Sequence, residues 1–166
     1  MPKIRRDLAE GRYYIGIDPG QSGAASILLG RLLITENQKI LSISFKDKTE
    51  HEISDWFRDT LDDYHLTENN VKAAIEKVHS MPRQGVASSF KFGMSYGFLR
   101  GLIVAHKIPF VEVTPQKWQG ELKCLSKGDK NVTKAAAHKK WPMFADQIKH
   151  ANADSLLIAD WLRLQD

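Results

Sequence analysis

The chain has 166 residues, 42% of them hydrophobic, enough for one domain with a substantial core. Its net charge is +4, and Lys91, Arg100 and several serines interrupt the longest apolar stretches, so no segment is expected to span a bilayer. Lys3, Arg5 and Arg6 are not followed by a secretory-type apolar segment, and the single cysteine, Cys124, excludes an internal disulfide and fits an ordinary free thiol in a reducing compartment.

The aromatic and β-branched run Tyr13-Tyr14-Ile15 opens a predicted buried strand over 13–17, ended by the turn pair Pro19-Gly20. Asp18 then stands where a sheet stops and a loop begins, its carboxylate near the core. Unpaired, it would be costly to desolvate, so a cationic partner is expected. Further strands are predicted over 24–29 and roughly 39–45, close enough to form a meander. Thr49 and Glu52 have capping-box spacing and start a helix with Ile53, Trp56, Phe57 and Leu61 on one face.

A short buried strand is expected over 72–78, followed by a helix over 86–105 with an unusual pattern. Val86, Phe90, Met94, Phe98 and Leu102 form a row of large apolar residues, and Ser89, Gly93, Gly97, Gly101 and Ala105 a parallel row of small ones. Three mid-helix glycines cost roughly 3 kcal/mol. Close approach of the sheet, of another helix, or of the same helix in a second copy is expected to compensate. A strand over 109–114 leads into Thr114-Pro115, a helix cap followed by a first-turn proline. A basic connector over 123–130, a short helix over 131–141 stopped by Pro142, and a last helix over 151–164 complete the order. The result is a mixed sheet with right-handed crossovers and helices on its faces, with no repeat or linker dividing the chain.

Charge is polarised along the chain. Residues 117–140 carry seven lysines against Glu121 and Asp129, a net of +5, whereas 49–70 carry seven acids against Arg58, a net of −6. The basic stretch reads either as a solvated loop or as a face for an anionic partner.

Two more acids stand in apolar surroundings. Glu76 lies within Ala73-Ala74-Ile75-Glu76-Lys77-Val78, and Asp154 begins a helical seam continued by Leu157, Ile158 and Trp161. Singly, each reads as a cap or a salt-bridge partner. Together with Asp18 they would repel and raise one another's pKa unless cations lay between them. All-oxygen ligation suits Mg²⁺ or Mn²⁺, and the lack of Cys/His pairs argues against structural zinc.

Taken in order, Asp18 in GIDPG, Glu76 in AIEKV, TPQKW at 114–118 and ADSLLIADW at 153–161 resemble the RuvC family of Holliday-junction resolvases, its small phage members above all. The likeness runs over residues 13–162 and includes the glycine-bearing helix and the GDKNVTK segment. It implies an α/β, ribonuclease H-like fold with a five-stranded mixed sheet flanked by helices. It also implies a single nuclease domain over 1–166 with a basic N-terminal arm at 1–12. The activity implied is that of a homodimeric crossover junction endodeoxyribonuclease, a metal-dependent hydrolase cutting four-way DNA, in the cytoplasm of a bacterium or phage-infected cell.

Asp18, Glu76 and Asp154 match the family's metal-binding acids. His150 takes the place of its fourth acid, sometimes a histidine there, one turn before Asp154. Two Mg²⁺ or Mn²⁺ ions per site would leave a 3′-hydroxyl and a 5′-phosphate. His150 reads as a ligand, as an acid toward the leaving oxygen, or as an exposed side chain. His79, with Met81 beside it, matches the place of a side chain wedged into the opened junction, or is a plain loop histidine. Lys117, Lys123, Lys127, Lys130 and Lys134 are the expected DNA contacts, and Gly93, Gly97 and Gly101 the expected dimer contact. Three rivals stand beside this reading. They are a non-catalytic junction-binding protein with a decayed site, a same-fold nuclease acting on flaps or RNA–DNA hybrids, and an actin-like ATP-binding domain, which would need a second lobe and a second phosphate loop.

Overall fold

In a computed structural model, residues 11–30, 39–77 and 85–166 are described in full, together with the backbone of 32–33 and 35–36. His79, Met81 and most of the basic arm therefore lie outside the described residues. The strands in chain order are β1 (Tyr13–Asp18), β2 (Ala24–Leu29), β3 (Leu32–Leu33), β4 (Thr35–Glu36), β5 (Lys39–Ile40), β6 (Ser42–Ser44), β7 (Val71–Glu76) and β8 (Phe110–Val113). The helices are α1 (Glu50–Asp63), α2 (Val86–Ala105), α3 (Pro115–Glu121), α4 (Lys130–Lys140) and α5 (His150–Gln165).

β1 is buried along its whole length because it is the middle of the sheet. It pairs antiparallel with β2 and parallel with β7, and β8 extends the parallel half. β3 and β6 both pair with β2, β3 against Leu28 and Leu29 and β6 against Ala24, Ala25 and Ser26. The two segments share one edge position, so the sheet is five strands wide, mixed, and flanked by helices. The single strand expected over 39–45 is divided. Lys39–Ile40 pairs with β4 in a separate ribbon and Ser42–Ser44 joins the sheet.

The pleat of β1 sorts its side chains between two cores. Tyr13, Ile15 and Ile17 meet α1 and α2 through Ile53, Phe57, Leu61, Leu99 and Ile103. Tyr14 meets the opposite layer of α3, α4 and α5 through Trp118, Ala137, Leu156 and Ile158. Gly16 lies directly under α5, where an added Cβ would fall 2.0 Å from the Ser155 carbonyl oxygen. Only glycine permits this backbone-to-backbone approach. Beside it the Ser26 and Ser155 hydroxyls, both buried, stand 2.6 Å apart.

Local chemistry sets the helix ends. The Thr49 hydroxyl accepts from the Glu52 N–H at 3.2 Å while Glu52 accepts from the Thr49 N–H at 2.8 Å, the reciprocal cap expected for α1. Asp160, fully buried in α5, accepts from Arg163 at 3.0 Å and pairs with Lys140 at the end of α4. The pair with Lys140 fastens α4 to α5, and the Arg163 contact holds the carboxylate within α5.

Of the neighbours expected for the glycine row of α2, the described residues supply none. Among the described residues, a Cβ on Gly93, Gly97 or Gly101 would meet nothing within 4 Å, and Val86, Phe90 and Met94 are exposed. Leu99, Leu102 and Ile103 are the buried residues of this helix, with Tyr96 and Phe98 packed partly buried against the same core. Among the described residues, neither the sheet nor another helix is the neighbour that would offset these glycines. Among the described residues, no helix is long and apolar enough to cross a membrane.

Candidate active site

Ile17 stands opposite Ile75 in the parallel β1–β7 pair. One residue further on, Asp18 and Glu76 therefore end adjacent strands side by side, on the face that α5 covers. α5 brings Asp154, buried in its second turn, to the same end of the sheet. Lys130, the first residue of α4, completes the group, its Nζ 3.3 Å from Asp18 Oδ2 and 3.4 Å from Asp154 Oδ2. It is the cationic partner expected for Asp18. The same lysine is one of the expected DNA contacts, and here it bridges two carboxylates.

Each acid is held by its own surroundings. The Gly20 N–H donates to Asp18 Oδ1 at 3.2 Å, and the Gly23 N–H closes the turn on the Gly20 carbonyl at 2.8 Å. A Cβ at Gly23 would sit 2.0 Å from the Asp18 carbonyl oxygen, so the turn requires glycine there. Glu76 Oε2 accepts from the indole Nε1 of Trp118 at 2.7 Å. Trp118 is fully buried in α3, which the Thr114 hydroxyl and Pro115 cap as expected. In the sequence Trp118 has no role beyond the TPQKW motif. Its one signal was a donor-only indole in a capped helix directly after the strand beside Glu76.

Burial, with repulsion from Asp18 next, pushes the Glu76 carboxyl up to about 7, the Trp118 N–H acting against the shift. Burial likewise raises Asp154, while the neighbouring Thr133 hydroxyl and the Lys130 ammonium favour its charged form. For Lys130, burial opposes the ammonium, but Asp18 and Asp154 together hold its pKa above the ordinary value. Asp154 Oδ1 is buried without a hydrogen-bond partner among the described residues.

As the side chains stand, no group of three or more His, Cys, Asp or Glu residues among those described is arranged to hold a metal ion. An ammonium lies between Asp18 and Asp154, and Trp118 holds Glu76. The donor set still suits a hard divalent cation. It has three carboxylates, one bare buried oxygen, and a position that a positive charge already takes.

The remaining candidates divide. His150 opens α5, is exposed, and places its ring Nε2 3.0 Å from Asn131 Oδ1 of α4. Lys123 and Lys127 are exposed in left-handed turns, φ 57° and 49°, on the connector before Lys130. Lys134 follows one turn along α4. Lys117 points elsewhere, its ammonium 5.9 Å from the centre of the Trp161 ring. It shares a groove there with Lys72 and Asp166, toward the opposite end of β7 from Glu76.

No protein-family model matches this chain, and no curated protein matches it in sequence. Solved structures do match it. Thermus thermophilus RuvC in complex with a Holliday junction substrate superposes with a TM-score of 0.61 at 16% identity, over 90% of this chain and 91% of that one. A second Thermus thermophilus RuvC structure gives 0.57 at 14% identity, over 90% and 92%. At such identities the likeness is one of fold, and the fold is the ribonuclease H-like one of these RuvC structures.

Proposed function

We propose that this chain is a structure-selective DNA endonuclease that cuts four-way junctions as a homodimer, with Asp18, Glu76 and Asp154 as its metal-binding acids. The observation that carries the reading is the meeting of three carboxylates, from three distant segments, at one end of a ribonuclease H-like sheet. A protein that kept such a cluster with no use for it would carry repulsion and desolvation for nothing. One of the structures with this fold holds a Holliday junction.

In this reading Asp18, Glu76 and Asp154 hold two Mg²⁺ or Mn²⁺ ions. Bound there, the ions would activate water and stabilise the departing 3′ oxygen, leaving a 3′-hydroxyl and a 5′-phosphate. The chain's own groups prepare the site. Gly20 and Trp118 orient Asp18 and Glu76 through one hydrogen bond each, and burial keeps bulk water from Asp154. Lys123, Lys127 and Lys134 bind phosphates beside the acids. His150, one turn before Asp154 on α5, is the fourth metal-site residue of this reading, its ring resting against Asn131 Oδ1 at 3.0 Å in the metal-free site. The open glycine and aromatic face of α2 is the subunit contact.

The test offers a mobile four-way junction, a flap and an RNA–DNA hybrid to the protein in Mg²⁺ or Mn²⁺. The junction should be cut preferentially, and Asp18→Asn should abolish cutting while junction binding persists. Equal cutting of all three removes the junction claim. Tight junction binding without cutting in either metal selects the binding-only rival.

A further inference from the structure

Lys130 and a divalent cation have a claim on the same two oxygens. The ammonium lies 3.3 Å from Asp18 Oδ2 and 3.4 Å from Asp154 Oδ2, and no other ion pair reaches either carboxylate among the described residues. An ion bound directly by both would stand roughly 2.0–2.6 Å from each oxygen, in the space the ammonium takes, and like charge would expel the lysine. We propose that Lys130 is the resident counter-ion of the metal-free site, and that metal displaces it onto a DNA phosphate, so that metal loading and DNA binding reinforce each other. The inference rests on the reading of Asp18 and Asp154 as metal ligands.

The backbone around Lys130 is built to stay while the side chain moves. The Asp129 carboxylate caps α4 by accepting from the Asn131 N–H at 2.9 Å, and the Asp129 N–H closes the preceding turn on the Ser126 carbonyl at 2.9 Å. The Thr133 hydroxyl donates to the Lys130 carbonyl at 3.3 Å. The Lys130 side chain itself is 51% exposed, so rotation about its four-carbon stem carries the ammonium to solvent without rebuilding the helix. Lys127 lies three residues before Lys130 on the connector and Lys134 one helical turn after it on α4, and both are expected phosphate contacts. In the free protein the lysine offsets the repulsion between two buried acids; with metal bound it is released. Linkage then makes the effect reciprocal, since a phosphate that holds Lys130 outward leaves the acids bare for metal.

Two measurements on the full chain test this. Calorimetric titration with Mn²⁺, in the absence of DNA, compares the wild type with Lys130→Met and with Lys134→Met. Removing the competitor should tighten Mn²⁺ binding about tenfold or more, whereas the neighbouring control should bind as the wild type does. Next, junction affinity is followed against salt with and without Ca²⁺. The wild-type log–log slope should steepen by about one when Ca²⁺ frees Lys130, and the Lys130→Met slope should not. Equal Mn²⁺ affinity in wild type and Lys130→Met overturns the inference and leaves the metal reading standing. No Mn²⁺ binding by any of the proteins removes both. Should Lys130→Met fail to fold, the wild-type slope decides alone, and identical slopes with and without Ca²⁺ overturn the exchange.

Discussion

Glu76 carries the pH response of the site. Its carboxyl is raised to about 7 from an ordinary 4.5, by burial first and by Asp18 second. Between those values the folded chain holds a proton that the unfolded chain has lost. The contribution of Glu76 to stability is therefore greatest below that window and falls as pH rises through it. Thermal unfolding of metal-free protein should show this fall, and Glu76→Gln should flatten it, with a gain on the order of 2 kcal/mol at pH 8. Mn²⁺ affinity should climb over the same window in the wild type, because the carboxyl must release its proton to bind. A wild-type stability that rises from pH 5 to 8 in chelator would contradict this account of Glu76. At this scale the three acids were legible in the sequence, since each is a charge set in an apolar run. Trp118 was not, because a tryptophan in a capped helix reads the same whether or not its N–H meets a carboxylate 42 residues away.

Two glycines on different elements make opposite demands. Gly16 on β1 has the Ser155 carbonyl oxygen 2.0 Å from where a Cβ would stand, so Gly16→Ala must push α5 off the sheet. Denaturant unfolding should register a loss of about 3 kcal/mol or more. Gly97 on α2 faces open space, so Gly97→Leu clashes with nothing among the described residues and gains about 1 kcal/mol of helix propensity. Sedimentation should then find Gly97→Leu monomeric but at least as stable per chain as the wild type. A dimer of undiminished affinity would place the subunit contact elsewhere. Element boundaries were read well where capping residues mark them, as at Thr49 and Thr114. The neighbour of the glycine row was not readable, because a flat helix face has the same sequence whether it meets a sheet, a helix or solvent.

At the scale of the molecule, basic residues gather on the side of the acids that α4 and its connector form. Lys127→Gln with Lys134→Gln should lower the salt slope of junction binding by about two and leave Mn²⁺ affinity unchanged. Lys117→Gln should leave junction affinity unchanged in the same anisotropy titration, since its ammonium lies over Trp161. An unaltered slope in the double variant would take the connector out of the DNA path. By itself the sequence determined the run of strands and helices, the caps, the placing of Asp18 at a strand end and of Asp154 on the inner face of α5. Those features depend on residues a few positions apart and on the periods of 2.0 and 3.6 that side chains follow. The tertiary structure alone decided that Lys130 lies between Asp18 and Asp154, that Lys117 turns away, that the strand expected over 39–45 divides, and that the glycine face stays open. These are distances between segments as far as 112 residues apart, and only the packing of α4 and α5 on the sheet sets them.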